Sequence, residues 1–195
     1  MSTAIGGQSA SGSARSHLLR WLIAIVAYPI GGFVGHLIGG PASTAPAALI
    51  SGLIAGAAIG LGQALALAPR PQTVARWVAA AAVGLGASLA LVTALIGQID
   101  TTTDAVLLGA ISGLAIGAVQ AALLMRERLG AALIWIFTSS VAWALGWATT
   151  ASIGVALAAG WPVYGLSGAV VSQLITGVVL WKLMSRGEAT ALAPA

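Results

Sequence analysis

The sequence predicts an all-α integral membrane protein of six transmembrane helices, arranged as three parallel helical-hairpin repeats. Three observations predict it. Hydrophobic residues make up 59% of the 195-residue chain and charged residues only 6%, against roughly 25% charged in an ordinary soluble domain. The apolar residues fall into six long runs. One pattern of glycine and glutamine returns with every position number raised by 57.

Each run is long enough to span. Hydrocarbon about 30 Å thick needs ~20 apolar residues at a rise of 1.5 Å. The first run, about 18–40, opens on Arg20-Trp21 and contains Pro29, whose missing N–H and bulky ring predict a kink. Before it, residues 1–17 are small and polar and read as a disordered cytoplasmic tail. The first run is too long for the core of a cleaved signal, so it reads as an uncleaved helix. The second, about 46–68, follows Pro41 and Pro46, and the third, about 73–97, follows Pro69 and Pro71. The third opens on Arg76-Trp77. The fourth (about 104–125) and fifth (about 131–156) follow, with Trp135 near the start of the fifth. Pro162 opens the sixth, about 163–184, and residues 186–195 read as a second cytoplasmic tail. Barrel strands are excluded, because the runs are continuous where strands alternate over about ten residues. The repeats occupy about 18–70, 73–128 and 131–185 of one domain.

Charge predicts orientation. The basic residues are Arg15, Arg20, Arg70, Arg76, Arg126, Arg128, Lys182 and Arg186. All fall at one set of helix ends. The opposite connections lack them and have Asp100 and Asp104 at the middle one. The positive-inside rule puts both termini in the cytoplasm, in what the composition suggests is a bacterial inner membrane. Basic residues spread singly and in pairs suit anionic headgroups better than nucleic acid. Trp21, Trp77, Trp135 and Trp181 at that side, with Trp161 opposite, read as an aromatic belt at the two interfaces.

The repeated pattern is Gly52, Gly56, Gly60 and Gln63 on the second helix, then Gly109, Gly113, Gly117 and Gln120 on the fourth. At 100° per residue these offsets lie at 0°, 40°, 80° and 20°, one narrow face. The sixth helix has Gly165, Ala169, Gln173 and Thr176; its glutamine comes early and threonine takes the usual glutamine place. A glycine face lets a second helix approach closely. The glutamines are costly in lipid and should face protein or water. They fit either interhelical hydrogen bonds or a polar path formed by Gln63, Gln120, Gln173 and Thr176.

Reactive chemistry is sparse. No Asp, Glu, Lys or Arg lies mid-span, which counts against ion coupling and against general acid–base catalysis in the membrane. The chain has no cysteine, so thiolate catalysis and thiolate metal sites are excluded. His36 is the one histidine within a span and has no evident co-ligand; no metal or other cofactor is expected. Trp143 and Trp147, four residues apart, share a helix face that suits a flat ligand or simple packing. Gly165-Leu166-Ser167-Gly168 resembles the GxSG motif of rhomboid proteases. That family pairs its serine with a histidine on the sixth helix, and here the serine itself opens the sixth helix.

The repeated GxxxGxxxGxxQ hairpins resemble uncharacterised bacterial polytopic membrane proteins, a likeness that covers nearly the whole chain and implies no activity. Size and helix number are similar to the substrate-binding subunits of energy-coupling-factor vitamin transporters. The expectation is a non-enzymatic membrane subunit that packs against partners or holds a small apolar ligand. The alternative is a transporter component or passive permeation path. The expected partners are the lipid bilayer and further copies or other membrane subunits, with no nucleic acid.

Overall fold

The computed structural model describes residues 16, 18–67, 71–97, 99, 101–124, 128–154 and 165–191, with backbone alone at 123–124 and 186–191. Among the described residues, six helices are long and apolar enough to cross a membrane: α1 (Leu18–Gly39), α2 (Ala45–Leu67), α3 (Pro71–Ile96), α4 (Thr102–Leu124), α5 (Leu129–Ser152) and α6 (Leu166–Ala191). Among the described residues there is no strand. Expectations placed on the N-terminal tail, Pro69, Arg70, Asp100, Arg126, Trp161 and Pro162 lie outside the described residues.

Local chemistry explains most helix boundaries. Gly40, Gly97 and Gly154, just past α1, α3 and α5, and Gly165, just before α6, have φ between 75° and 85°, a left-handed conformation that bounds a helix and suits residues without a Cβ. At the start of α4, Thr101 and Asp104 bond reciprocally: Asp104 N–H donates to Thr101 Oγ1 at 3.1 Å, and Thr101 N–H to Asp104 Oδ2 at 3.1 Å. That is a capping box, so Asp104 has a local structural role. Within α1 the helix tightens to a 3₁₀ turn at Ala24–Val26, one turn before Pro29. A proline leaves the carbonyl four residues earlier without its partner, here Ile25. α6 runs to Ala191, into the segment that the sequence assigns to a tail.

The helices pack in chain order, and α6 returns to α1. Within hairpins, small residues set the crossings. A Cβ built on Gly31 of α1 lies 3.2 Å from Ala55 Cα on α2. Ser88 of α3 donates to Ser112 of α4 at 3.0 Å. A Cβ on Gly146 of α5 lies 2.7 Å from the Gly168 carbonyl on α6. Between hairpins the glycine faces make the contact. A Cβ on Gly52 would lie 2.7 Å from Gly86 Cα, one on Gly56 would meet the Ala81 carbonyl, and one on Gly60 would lie 3.0 Å from Val78 Cα. From α4, Gly109 meets Ala144 Cα at 2.9 Å, Gly113 the Ser139 carbonyl, and Gly117 Ile136 Cα at 3.1 Å. Side chains at these positions would push the helices apart, so the glycines set the spacing.

The third such interface differs. Gly165 sits in the turn before α6, and no described atom lies within 4 Å of where its Cβ would be. The sequence places Gly165 on a packing face; its left-handed φ and open surroundings take it off that face. Among the described glycines of α6, Gly177 is the one set against α1, with its Cβ position 2.5 Å from Trp21 Cδ1.

Candidate functional site

The end of the bundle that carries Arg20, Arg76, Arg128 and Lys182 is closed by a layer of indoles and amides. Trp21, Trp77 and Trp135 are 0%, 3% and 2% exposed, so they are core residues and not the interfacial anchors that their positions near helix ends imply. Trp77 packs on Trp21 with ring centroids 6.3 Å apart and on Trp135 at 5.9 Å. A buried indole N–H needs an acceptor, and each finds one on the helix that precedes it around the ring. Trp77 Nε1 donates to Gln63 Oε1 at 3.1 Å, Trp135 Nε1 to Gln120 Oε1 at 3.0 Å, and Trp21 Nε1 to Thr176 Oγ1 at 3.3 Å. Gln63 Nε2 also donates to Gln173 Oε1 at 3.0 Å, which Tyr28 O–H reaches at 3.4 Å. Gln173 Nε2 donates to the Trp21 carbonyl at 3.2 Å. The four residues of the expected polar path are thus occupied largely with one another and with the indoles.

Gln120 Nε2 and Ser139 Oγ are buried without a partner, on residues 1% and 2% exposed. Both residues border a void of about 10 Å³, together with Gln63 and Thr176. That volume is at the lower limit of what can hold one water molecule.

Past this layer, toward the opposite end, Tyr28 and Trp143 pack with ring centroids 5.8 Å apart. They border a cavity of about 270 Å³. Its wall is mostly apolar, with Ile59, Leu85, Leu89, Leu108, Trp143 and Trp147. Hydroxyls enter from Ser51, Thr93, Thr150 and Ser172, and His36 lies on the α1 side. It extends to Pro41, Ala42 and Ser43 after α1 and to Ile99 after α3. Among the described residues, no Asp, Glu, Lys or Arg lines it. Such a space favours an uncharged guest, since an unpaired charge there would lose its hydration.

The sequence-expected residues divide between these two places. Trp143, Trp147, His36 and Ala169 border the cavity; Gln63, Gln120 and Thr176 border the small void beneath; Gln173 ties the layer to α1. Gly52, Gly60, Gly109, Gly113 and Gly117 line neither. Among the described residues no group of three His, Cys, Asp or Glu gathers that could hold a metal. Tyr28, Thr93 and Ser172 are cavity residues that sequence reasoning passed over. A tyrosine and isolated hydroxyls deep within apolar runs are the signal, because each costs free energy if turned to lipid. No protein-family model matches the chain, and neither a curated protein nor a solved structure matches it.

Proposed function

We propose that this is a non-enzymatic, multi-pass membrane protein whose central cavity binds a small, uncharged, mostly apolar ligand. The cavity carries the reading: about 270 Å³ of aromatic and aliphatic wall with a few hydroxyls, above a hydrogen-bonded layer. That size lies near the lower end of ligand pockets. Three copies of one hairpin, closed into a ring, form the scaffold. The recurrence of the interhelical contacts supports this: those of Gly52, Gly56 and Gly60 return at Gly109, Gly113 and Gly117. The basic end faces the cytoplasm and the cavity lies toward the outer side of a bacterial inner membrane, an assignment that rests on the positive-inside rule.

The test is native mass spectrometry of protein purified in mild detergent. A small uncharged molecule should accompany the wild-type chain and be lost from Trp147→Leu, with the thermal transition otherwise close to wild type. A wild-type protein free of any such molecule, which also gains no thermal stability from added lipid extract, would overturn the proposal.

One observation favours the alternative, a transporter component or passive path. The unpartnered Gln120 Nε2 and Ser139 Oγ flank the void between cavity and cytoplasmic end, which is where hydration of a path would begin. That reading predicts solute flux in proteoliposomes that responds to changing both Gln63 and Gln120 to leucine. Equal impermeability of wild type and variant would refute it.

A further inference from the structure

We infer that the cavity opens sideways to the bilayer between α1 and α6, that Gln173 is the wedge that holds this seam apart, and that the guest is a lipid-dissolved hydrocarbon chain. The inference rests on the ligand-binding reading above and adds the route and the class of guest.

The wedge follows from comparing the three places where an even helix meets the next odd one. Thr176 takes the indole of Trp21 as Gln120 takes that of Trp135 and Gln63 that of Trp77. Three residues earlier on the same faces stand Gly60, Gly117 and Gln173. At Gly60, a Cβ would lie 3.4 Å from the carbonyl oxygen of Trp77. At Gln173, the matching carbonyl, that of Trp21, is met at 3.2 Å by the far end of the side chain, Nε2. The length of a glutamine side chain therefore stands where two glycines elsewhere allow helix-to-helix contact. A buried side chain fixed at both its amide atoms cannot fold away without leaving Tyr28, Gln63 and the Trp21 carbonyl short of partners.

Beyond the wedge, the two helices stay apart. Gly32 on α1 and Gly165 before α6 both border the cavity, and no described atom lies within 4 Å of a Cβ on either. Toward the layer, by contrast, Gly177 lies hard against Trp21. The seam is thus shut at the basic end and parted along the cavity. Its outer flanks are exposed and apolar: Phe33 and Leu37 on α1, Leu166 and Val170 on α6. A lipid chain against these residues meets apolar side chains outside and a mostly apolar wall within, and among the described residues that line the cavity none is charged. Apolar guests gain by leaving neither hydrocarbon nor aromatic contact, whereas a water-borne ion would be disfavoured throughout.

The experiment uses the full chain in vesicles of phosphatidylcholine brominated along its acyl chains, with tryptophan emission as the readout. The contribution of the cavity indoles is the difference between wild type and the double variant Trp143→Phe/Trp147→Phe. Most of that contribution should be quenched in brominated vesicles and survive in unbrominated ones. Gln173→Gly should let α1 settle on α6 and restore it. Gly32→Leu, which fills open space and leaves the layer untouched, should restore it as well, and serves if Gln173→Gly does not fold. Unquenched cavity indoles in the wild-type protein would overturn the inference, as would quenching that both variants leave unchanged. A co-purified molecule retained alongside unquenched indoles would overturn the lateral route alone and leave ligand binding standing.

Discussion

Gln63 and Gln120 hold the same place in the repeated pattern, yet their replacement by leucine should have unequal effects. Gln63 is satisfied at both ends: its Oε1 accepts from Trp77 and its Nε2 donates to Gln173. Leucine there removes two buried hydrogen bonds, each contributing roughly 0.6–1.5 kcal/mol, and strands the indole N–H of Trp77. The sum is about 2–3 kcal/mol, more than tenfold in the folding equilibrium. This is larger than the effect of about 1 kcal/mol or less that a single interhelical bond would suggest. Gln120 makes one such bond, to Trp135, and its Nε2 is buried without a partner. Leucine there loses the bond and strands an indole, but also removes an unsatisfied amide that itself costs about 1–3 kcal/mol. The two effects nearly offset, leaving about 1 kcal/mol or less. Both variants can be compared by reversible unfolding in mixed micelles, or by steric trapping in bicelles. Equal losses, or a larger one for Gln120→Leu, would refute the reasoning and would mean that Gln120 Nε2 is well satisfied by bound water.

Two further outcomes follow from the packing and the charge. Gly113→Ala should destabilise the protein by about 1–3 kcal/mol, because its Cβ would overlap the Ser139 backbone and the helices must part. Gly32→Ala meets open space and should be neutral or stabilising by up to about 1 kcal/mol; thermal unfolding of the pair checks both. Since the chain has no cysteine, single cysteines report sidedness cleanly. Ser43→Cys should react with a membrane-impermeant maleimide on intact cells, and Gly130→Cys only after permeabilisation; the reverse pattern would invert the assigned orientation.

Much of the helical layout was legible in the sequence, because span length and turn residues are local properties. The glycine register was legible for the same reason: Gly52, Gly56 and Gly60 share a face whatever lies opposite. The tryptophans were not. Trp21, Trp77 and Trp135 stand near helix ends, where a bilayer interface and a bundle interior are both within reach, and the deciding partner lies on another helix. The clue was available in pairs: an indole and an amide, each costly in lipid, sit at corresponding depths of consecutive helices, as in Gln63 and Trp77. Of the cavity, only part of the wall was legible, in Trp143 and Trp147; its existence was not. It depends on the separation of α1 from α6, which one substitution in a repeated pattern, Gln173 for glycine, sets through tertiary geometry.

The return of α6 to α1 also bears on how the chain is made. Trp77 and Trp135 find their acceptors 14 and 15 residues back along the chain, so both are partnered as soon as the following helix is inserted. Trp21 must wait for Thr176, which is 155 residues later. At translation rates of about 5–20 residues per second, that is a delay of roughly eight to thirty seconds. Throughout it, the Trp21 indole can pack on Trp77 but lacks the Thr176 hydroxyl as acceptor. Newly made chains are therefore open on that flank until α6 is made, and a chain cut short before α6 never loses the exposed edge that quality-control proteases and insertion factors can recognise.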